Sequence, residues 1–322
     1  MSPHSKPPAV LLDAIANGRR FLLSSHQRPD GDAIGSAVGM ALALEALGKQ
    51  ATVVMDGAPP PFLQPFPGVD RIVVTAETSE AADAVLVMEC GTLERTGVRG
   101  LERSLVINID HHPGNTNYGA INWVDETAAA CGELVFTLID ALGVALTPDI
   151  ATHLYLAILT DTGSFRFSHL TPRTYELAGR AVAAGADPHW IARTHYDSNS
   201  LARVRIFGAV LNGMAIHAEG RVALLTITEQ MARELGGTYD DTEGLINFPL
   251  TVKDIEAVAF FKEIGPNDWR VSLRSKGQAD TGRIAKQFGG GGHVNAAGCG
   301  WQGSIADGHR TFARLLGDAV GA

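Results

Sequence analysis

FLLSSHQRPDGDAIG, residues 21–35, joins an apolar run to a histidine and two aspartates just before a long Ala/Leu-rich stretch. FLL belongs to a buried strand, and AIGSAVGMALALEALGK (33–49) has the composition and length of a helix ending near Gly48. A strand feeding straight into a helix is the opening unit of an α/β sheet. Pro29 disfavours helix at Arg28 and cannot stand inside one, so His26 to Asp32 is expected to be a loop. In an extended loop Asp30 and Asp32 point the same way, with Gly31 freeing the backbone between them.

The rest of the chain repeats the theme. ATVVMDG (51–57), RIVVT (71–75), AVLVMECG (84–91) and SLVINIDHH (104–112) follow as strands, and the last three are near-continuous apolar runs of the kind covered on both faces. PPPFLQPFPG (59–68) is a proline-stiffened loop. Helices are expected at about 127–143, 148–160 and 172–184, the last opened by Thr171 and Pro172. The expected fold class is therefore doubly wound α/β with a mainly parallel sheet.

Residues 1–8 read as a disordered tail and 9–187 as the first domain. A charged helical connector (188–213) leads to a smaller α/β domain (214–322). That domain contains RVALLTIT (221–228), a helix around EQMARELGG (229–237), the strands EAVAFFKEI (256–264) and WRVSLRSK (269–276), and a helix broken by FGGGGH (288–293).

Composition narrows the function. The 322 residues are 45% hydrophobic, enough for a substantial core, with no apolar run of the roughly 18 residues that span a membrane. Cys90, Cys131 and Cys299 show no CxxC spacing, which fits a reducing, cytoplasmic location without membrane partners. A net charge of −9 argues against a grip on long duplex nucleic acid, which needs an extended basic surface. Short anionic substrates, held by a few arginines and a metal, remain open.

Strand ends carry the chemistry in open α/β sheets. The first strand runs into His26, Asp30 and Asp32, AVLVM runs into Glu89, and LVINI runs into Asp110, His111 and His112, while Asp161 closes AILT. Singly, each has an ordinary reading: an aspartate before a helix caps it, and a histidine packs. Together they crowd negative charge at one sheet edge, and divalent cations are the natural compensation. Carboxylates with histidines and no thiolate suit Mn²⁺, with Mg²⁺, Co²⁺ or Fe²⁺ as alternatives. Cys90 alternates to the opposite face from Glu89 and is not counted as a ligand.

HQRPDGD, the strand ending at Glu89, IDHH, TDTGSF and GGGGHVNAAG resemble, in order, the motifs of the DHH/DHHA1 phosphoesterases, across about residues 15–320. The nearest likeness is to the short two-domain nanoRNases, which are oligoribonucleases and pAp phosphatases. The resemblance implies that His26 and Asp30 hold one metal, that Asp32, His111 and Asp161 hold another, and that Glu89 bridges them. It implies that His112 sits beside the scissile phosphate, with Asp110 orienting the histidines. Two ions about 3.5–4 Å apart would then activate a water and stabilise charge on the phosphoryl oxygens. Arg95 at the site edge, and Arg274, Gly290, Gly291, Gly292 and His293 in the second domain, are the implied substrate contacts.

The implied substrates are short oligoribonucleotides of about two to five nucleotides, cut to 5′-mononucleotides, and pAp, cleaved to AMP. A cyclic di-AMP or pApA phosphodiesterase uses the same two domains. The family's usual LDCGD is MECGT here, with Glu89 for the bridging aspartate and Thr92 for the second. A nucleotide-binding sensor without catalysis would rest on that change. A homodimer accords with the family, and nothing in the sequence requires it.

Overall fold

The computed structural model describes residues 6–167, 170–277 and 279–321. It divides into two compact units, one ending at Ser198 and the other beginning at Asn199. Most of the expected tail, residues 1–5, lies outside the described residues.

The first unit contains α1 (Ala9–Asn17), β1 (Arg20–Ser24), α2 (Gly31–Ala46), β2 (Gln50–Met55), β3 (Val73–Val74), β4 (Ala84–Met88), β5 (Leu105–Asp110) and β6 (Ile121–Val124). It continues with α3 (Cys131–Ala141), α4 (Pro148–Asp161), α5 (Pro172–Ala183) and α6 (Pro188–Tyr196). The six strands form one parallel sheet in the order β3-β2-β1-β4-β5-β6, the α/β class expected from the sequence. Strand order reverses direction between β1 and β4, which makes their carboxyl ends the switch point where such sheets bind ligands.

Both faces of the central strands are buried, which is why AVLVM and LVINI lack polar alternation. Leu23, Leu86, Met88, Ile107 and Ile109 pack into the helical side. Leu22, Val85, Val87 and Val106 pack beneath Leu93, Val98 and Leu101, in a segment of short 3-10 turns rather than α-helix. On the helical side α2 and α3 lie against the sheet, and α4 packs across both. A Cβ on Gly35 would fall 2.5 Å from the His153 carbonyl oxygen, so glycine there lets α2 and α4 approach closely. That contact sets the start of α2 beside the end of α4, with Gly31 against Thr160.

Several expectations need correction. Helix α2 begins at Gly31, so Asp32 is helical and only His26–Asp30 is loop; the Asp30 side chain caps the helix by accepting from the Ala33 amide at 3.0 Å. RIVVT contributes only Val73–Val74, an edge strand with both side chains exposed. Helix α3 starts at Cys131 rather than near 127, because Ala130 is extended and the first helical amides bind Asp32. Asp161 is the last residue of a helix and not a strand end. FGGGGH does not break a helix: Thr281–Lys286 forms α9, and Gly291–Gly292 starts a new strand.

The second unit holds α7 (Leu201–Asn212), β7 (Ala215–His217), β8 (Val222–Ile227), α8 (Glu229–Glu234), β9 (Ala257–Gly265), β10 (Asp268–Ser275), α9 (Thr281–Lys286), β11 (Gly291–Gly292), β12 (Ala296–Gln302) and α10 (Ile305–Ala319). Its sheet runs β11-β12-β10-β9-β8-β7, with β8 and β9 parallel and the other pairs antiparallel. Ile284, Phe312 and Leu316 of α9 and α10 cover one face, and Ile206, Val210 and Ala232 of α7 and α8 the other.

Candidate metal centre

The ends of three adjacent strands, the start of α2 and the end of α4 deliver the predicted ligands of the first unit. Asp32, Glu89, His111 and Asp161 each offer a ligand atom, all within 4.8 Å of one another, and Glu89, His111 and His112 form a second, overlapping group. His26 and Asp30 pair with each other at 3.7 Å (Nε2 to Oδ2) and fall outside both groups.

His111 and Asp32 are each aimed by bonds made with their other atoms. His111 Nδ1 lies 3.0 Å from the Ala128 carbonyl oxygen, which can only accept, so Nδ1 carries the proton and Nε2 faces the acids. His111 Nε2 is 3.2 Å from Glu89, 3.3 Å from Asp161 and 4.0 Å from Asp32. Asp32 accepts from the Ser36 hydroxyl at 2.8 Å and from the Cys131 and Gly132 amides at 2.6 and 3.0 Å, the open end of α3. Glu89 follows β4 with φ of 56°, a left-handed conformation that costs a non-glycine residue roughly 1–2 kcal/mol and turns its carboxylate toward both histidines.

Two atoms test the fit to a metal. Glu89 Oε2 and His111 Nε2 are buried without a hydrogen-bond partner, an expensive state for a carboxylate and an imidazole unless a cation sits on them. The charge balance agrees. Burial, then the Glu89 and Asp161 charges, push the Asp32 carboxyl well above its ordinary range despite its three donors. Burial and Glu89 likewise raise Asp161 to about 6. Burial acts to lower the His111 pKa, but Glu89, Asp32 and Asp161 outweigh it and push it up to about 11. The residues therefore fit a hard or borderline divalent cation; Cys90 and Cys131 turn their thiols to the Thr92 and Ile109 carbonyls.

Beside the ligands lies a second histidine with a different setting. His112 Nδ1 bonds Asp110 Oδ1 at 2.9 Å, and its Nε2 is 3.4 Å from Glu89 Oε1 with the ring about a third exposed. The Asp110 bond holds the His112 pKa above its usual value. Burial opposes ionisation of Asp110, but His112 and Asn115 prevail and hold its pKa below the carboxylate norm. Ser36, the α3 amides and the Ala128 carbonyl are partners that no spacing in the sequence announced.

The remaining predicted contacts divide between the units. The Arg95 carbonyl accepts from the Gln27 amide at 2.8 Å, so its 3-10 turn docks on the His26 loop while its side chain is exposed. Arg274, Gly290, Gly291, Gly292 and His293 belong to the second unit. There Arg274 pairs with Ala296 across the sheet, and the His293 amide donates to the Ala296 carbonyl at 2.8 Å. Cβ atoms on Gly290 and Gly292 would fall 2.1 and 2.4 Å from the Gly298 and Ala296 carbonyl oxygens, so packing of β11 on β12 already requires glycine there. After α4 the chain turns, and Phe165 in that turn stacks on Tyr175 at 5.5 Å.

A parallel α/β sheet with carboxylates and histidines gathered at its switch point places this chain among the α/β proteins with a candidate divalent-metal centre. Residues 20–158 match the DHH family, N-terminal domain, and residues 221–316 match the DHHA1 domain. The chain is 35% identical over 91% of its length to the bifunctional oligoribonuclease and PAP phosphatase NrnA of Thermus thermophilus, covering 87% of that protein. It is 27% identical over 89% of its length to the protein of the same name from Bacillus subtilis, covering 91% of it. An exopolyphosphatase-related protein from Bacteroides fragilis has the same architecture, with a TM-score of 0.87 and 27% identity, over 96% of this chain and 95% of that one. The chain belongs to the DHH/DHHA1 phosphoesterase family.

Proposed function

We propose that this protein degrades short oligoribonucleotides to 5′-mononucleotides and removes a phosphate from pAp to leave AMP, in the cytoplasm, with two Mn²⁺ ions per site. The observation that carries the reading is the four-ligand group Asp32, Glu89, His111 and Asp161, with its two orphaned buried atoms. The names of the Thermus and Bacillus relatives supply the substrate class. Three free cysteines accord with a reducing compartment, and no helix among the described residues is long and apolar enough to cross a membrane.

Asp32, His111 and Asp161 would hold one ion, His26 and Asp30 the other, and Glu89 would be shared. Bound there, the ions supply Lewis acidity and a water nucleophile at neutral pH. The chain's own residues do the rest. His112 presents Nε2 at the open side of the site, and Asp110 fixes its Nδ1–H, so an imidazolium at this position can pass its Nε2 proton to the departing oxygen. Arg95 would pair with a substrate phosphate at the edge of the site. Arg274, His293 and the backbone of Gly290–Gly292 would be the second unit's own phosphate contacts.

The test is phosphate and AMP release from pAp, 5′-pApA and cyclic di-AMP in parallel, with Mn²⁺ and with chelator. Metal-dependent cleavage of pAp and pApA with little on the cyclic substrate is expected. Dominant cleavage of cyclic di-AMP would move the protein to dinucleotide signalling. Nucleotide binding with no turnover of any substrate would make it a sensor.

A further inference from the structure

Below the metal ligands, one side-chain amide ties together the two strands that carry Glu89 and the two histidines. Asn115 Nδ2 donates to Asp110 Oδ2 at 2.5 Å and to the carbonyl of Cys90, the residue after Glu89, at 3.3 Å. Its Oδ1 accepts from Asn108 Nδ2 at 2.8 Å and from the Asn117 amide at 2.8 Å, and its Nδ2 also lies 3.3 Å from Asn108 Oδ1. Asn108 is fully buried in β5 and anchored in turn to Asn122 of β6 at 3.0 Å. A rigid sheet, through three asparagines, thus reaches the carboxylate that holds His112.

The geometry points to Asn115 as a positioning residue for His112. By engaging Asp110 Oδ2, it leaves Oδ1 to face the His112 ring, and by holding the Cys90 carbonyl it fixes the end of β4. The two bonds together set the 3.4 Å separation of Glu89 Oε1 and His112 Nε2. Only a side chain with both donors and an acceptor can make this set: aspartate would oppose Asp110 with a like charge, and leucine would leave the carboxylate half-satisfied.

A purely structural role is separable, because other side chains of the same loop also grip the segment after β4. Tyr118 Oη donates to the same Cys90 carbonyl at 3.0 Å, and Thr116 Oγ1 donates to the Gly91 carbonyl at 3.2 Å, yet neither bonds Asp110. Tyr118→Phe and Thr116→Val therefore loosen the loop without touching the carboxylate.

The inference rests on the proposed role of His112, so the test has two arms. In the first, Asn115→Ala is expected to lower kcat on pAp about 10–100-fold, with KM and Mn²⁺ affinity within about threefold of native. Asn115→Asp should fall at least as far, and the Tyr118 and Thr116 variants should stay within about threefold. In the second, NMR of the metal-free protein follows the Nδ1–H proton of His112, assigned by its loss in His112→Gln. That resonance should be downfield and slow to exchange in the native chain, and broadened or absent in Asn115→Ala. Retained kcat in Asn115→Ala, an equal loss in Tyr118→Phe, or an unchanged His112 resonance would each overturn the inference. If the native protein cleaves none of the substrates, the functional reading fails and the NMR arm alone decides the positioning role.

Discussion

His111 Nε2 and Glu89 Oε2 lie 3.2 Å apart, both buried and neither in hydrogen-bond geometry with any partner. The contact is a charge pairing awaiting a third member. In the metal-free protein that place is held by the second proton of the His111 imidazolium, whose pKa the Glu89, Asp32 and Asp161 carboxylates push up to about 11.

Metal binding must expel this proton, so at pH 7.5 it should be accompanied by proton release, and affinity should climb with pH. Calorimetry of Mn²⁺ binding in two buffers of different ionisation enthalpy measures the release. A heat independent of buffer would mean that the site is preformed with Nε2 bare.

Asp161 is a carboxylate at a helix C-terminus, where the helix dipole opposes negative charge. Its pKa, raised from 3.8 to about 6 by burial and Glu89, makes its ionised form a cost to the fold. That cost is absent below pH about 4 and complete above about 6. Asp161→Asn should thus raise the stability of the chelator-treated protein at pH 8 by on the order of 1–3 kcal/mol, with little effect at pH 4, while weakening Mn²⁺ binding. Thermal melts at the two pH values decide it; equal shifts at both would show that packing, not charge, is responsible.

Glu89→Asp shortens the shared ligand by one methylene and places a residue better tolerated at positive φ. Hydrolysis by this variant should remain within about tenfold of native if Glu89 already serves an active centre. A gain well beyond that on pAp would show the native chain to be a nucleotide binder with a disabled site.

Gly35→Ala probes the helix contact beneath the candidate metal centre. The added methyl meets the His153 carbonyl oxygen at 2.5 Å and must part α2 from α4. A loss of about 1–3 kcal/mol is expected, together with weaker Mn²⁺ binding, since Asp32 and Asp161 stand on these two helices. Unchanged metal affinity in a destabilised variant would separate packing from ligand spacing.

The parallel sheet was legible because buried strands such as AVLVM leave no polar alternation to misread. The acids and histidines at its edge were legible because such residues have little other reason to follow apolar runs. What escaped was set by tertiary contact. Helix α1 and strand β6 are short, and β12 (AAGCGWQ) is half glycine and alanine, with weak strand preference of its own. The boundary at Gly31 escaped because the cap comes before the Ala-rich run begins: Asp30 Oδ1 accepts from the Ala33 amide while Oδ2 faces His26. Asn115 escaped because an asparagine in a polar loop signals only a turn until its partners are known.

The candidate ligands Asp32, Glu89, His111 and Asp161 arise from four separated segments, and α4 must be packed on α2 before the last of them meets the first. During synthesis, then, a chain that has made its aspartates and histidines but not yet α4 presents only fragments of the centre to the cell's metal pool. An ion that needs all four of these side chains would load only once the first unit is complete.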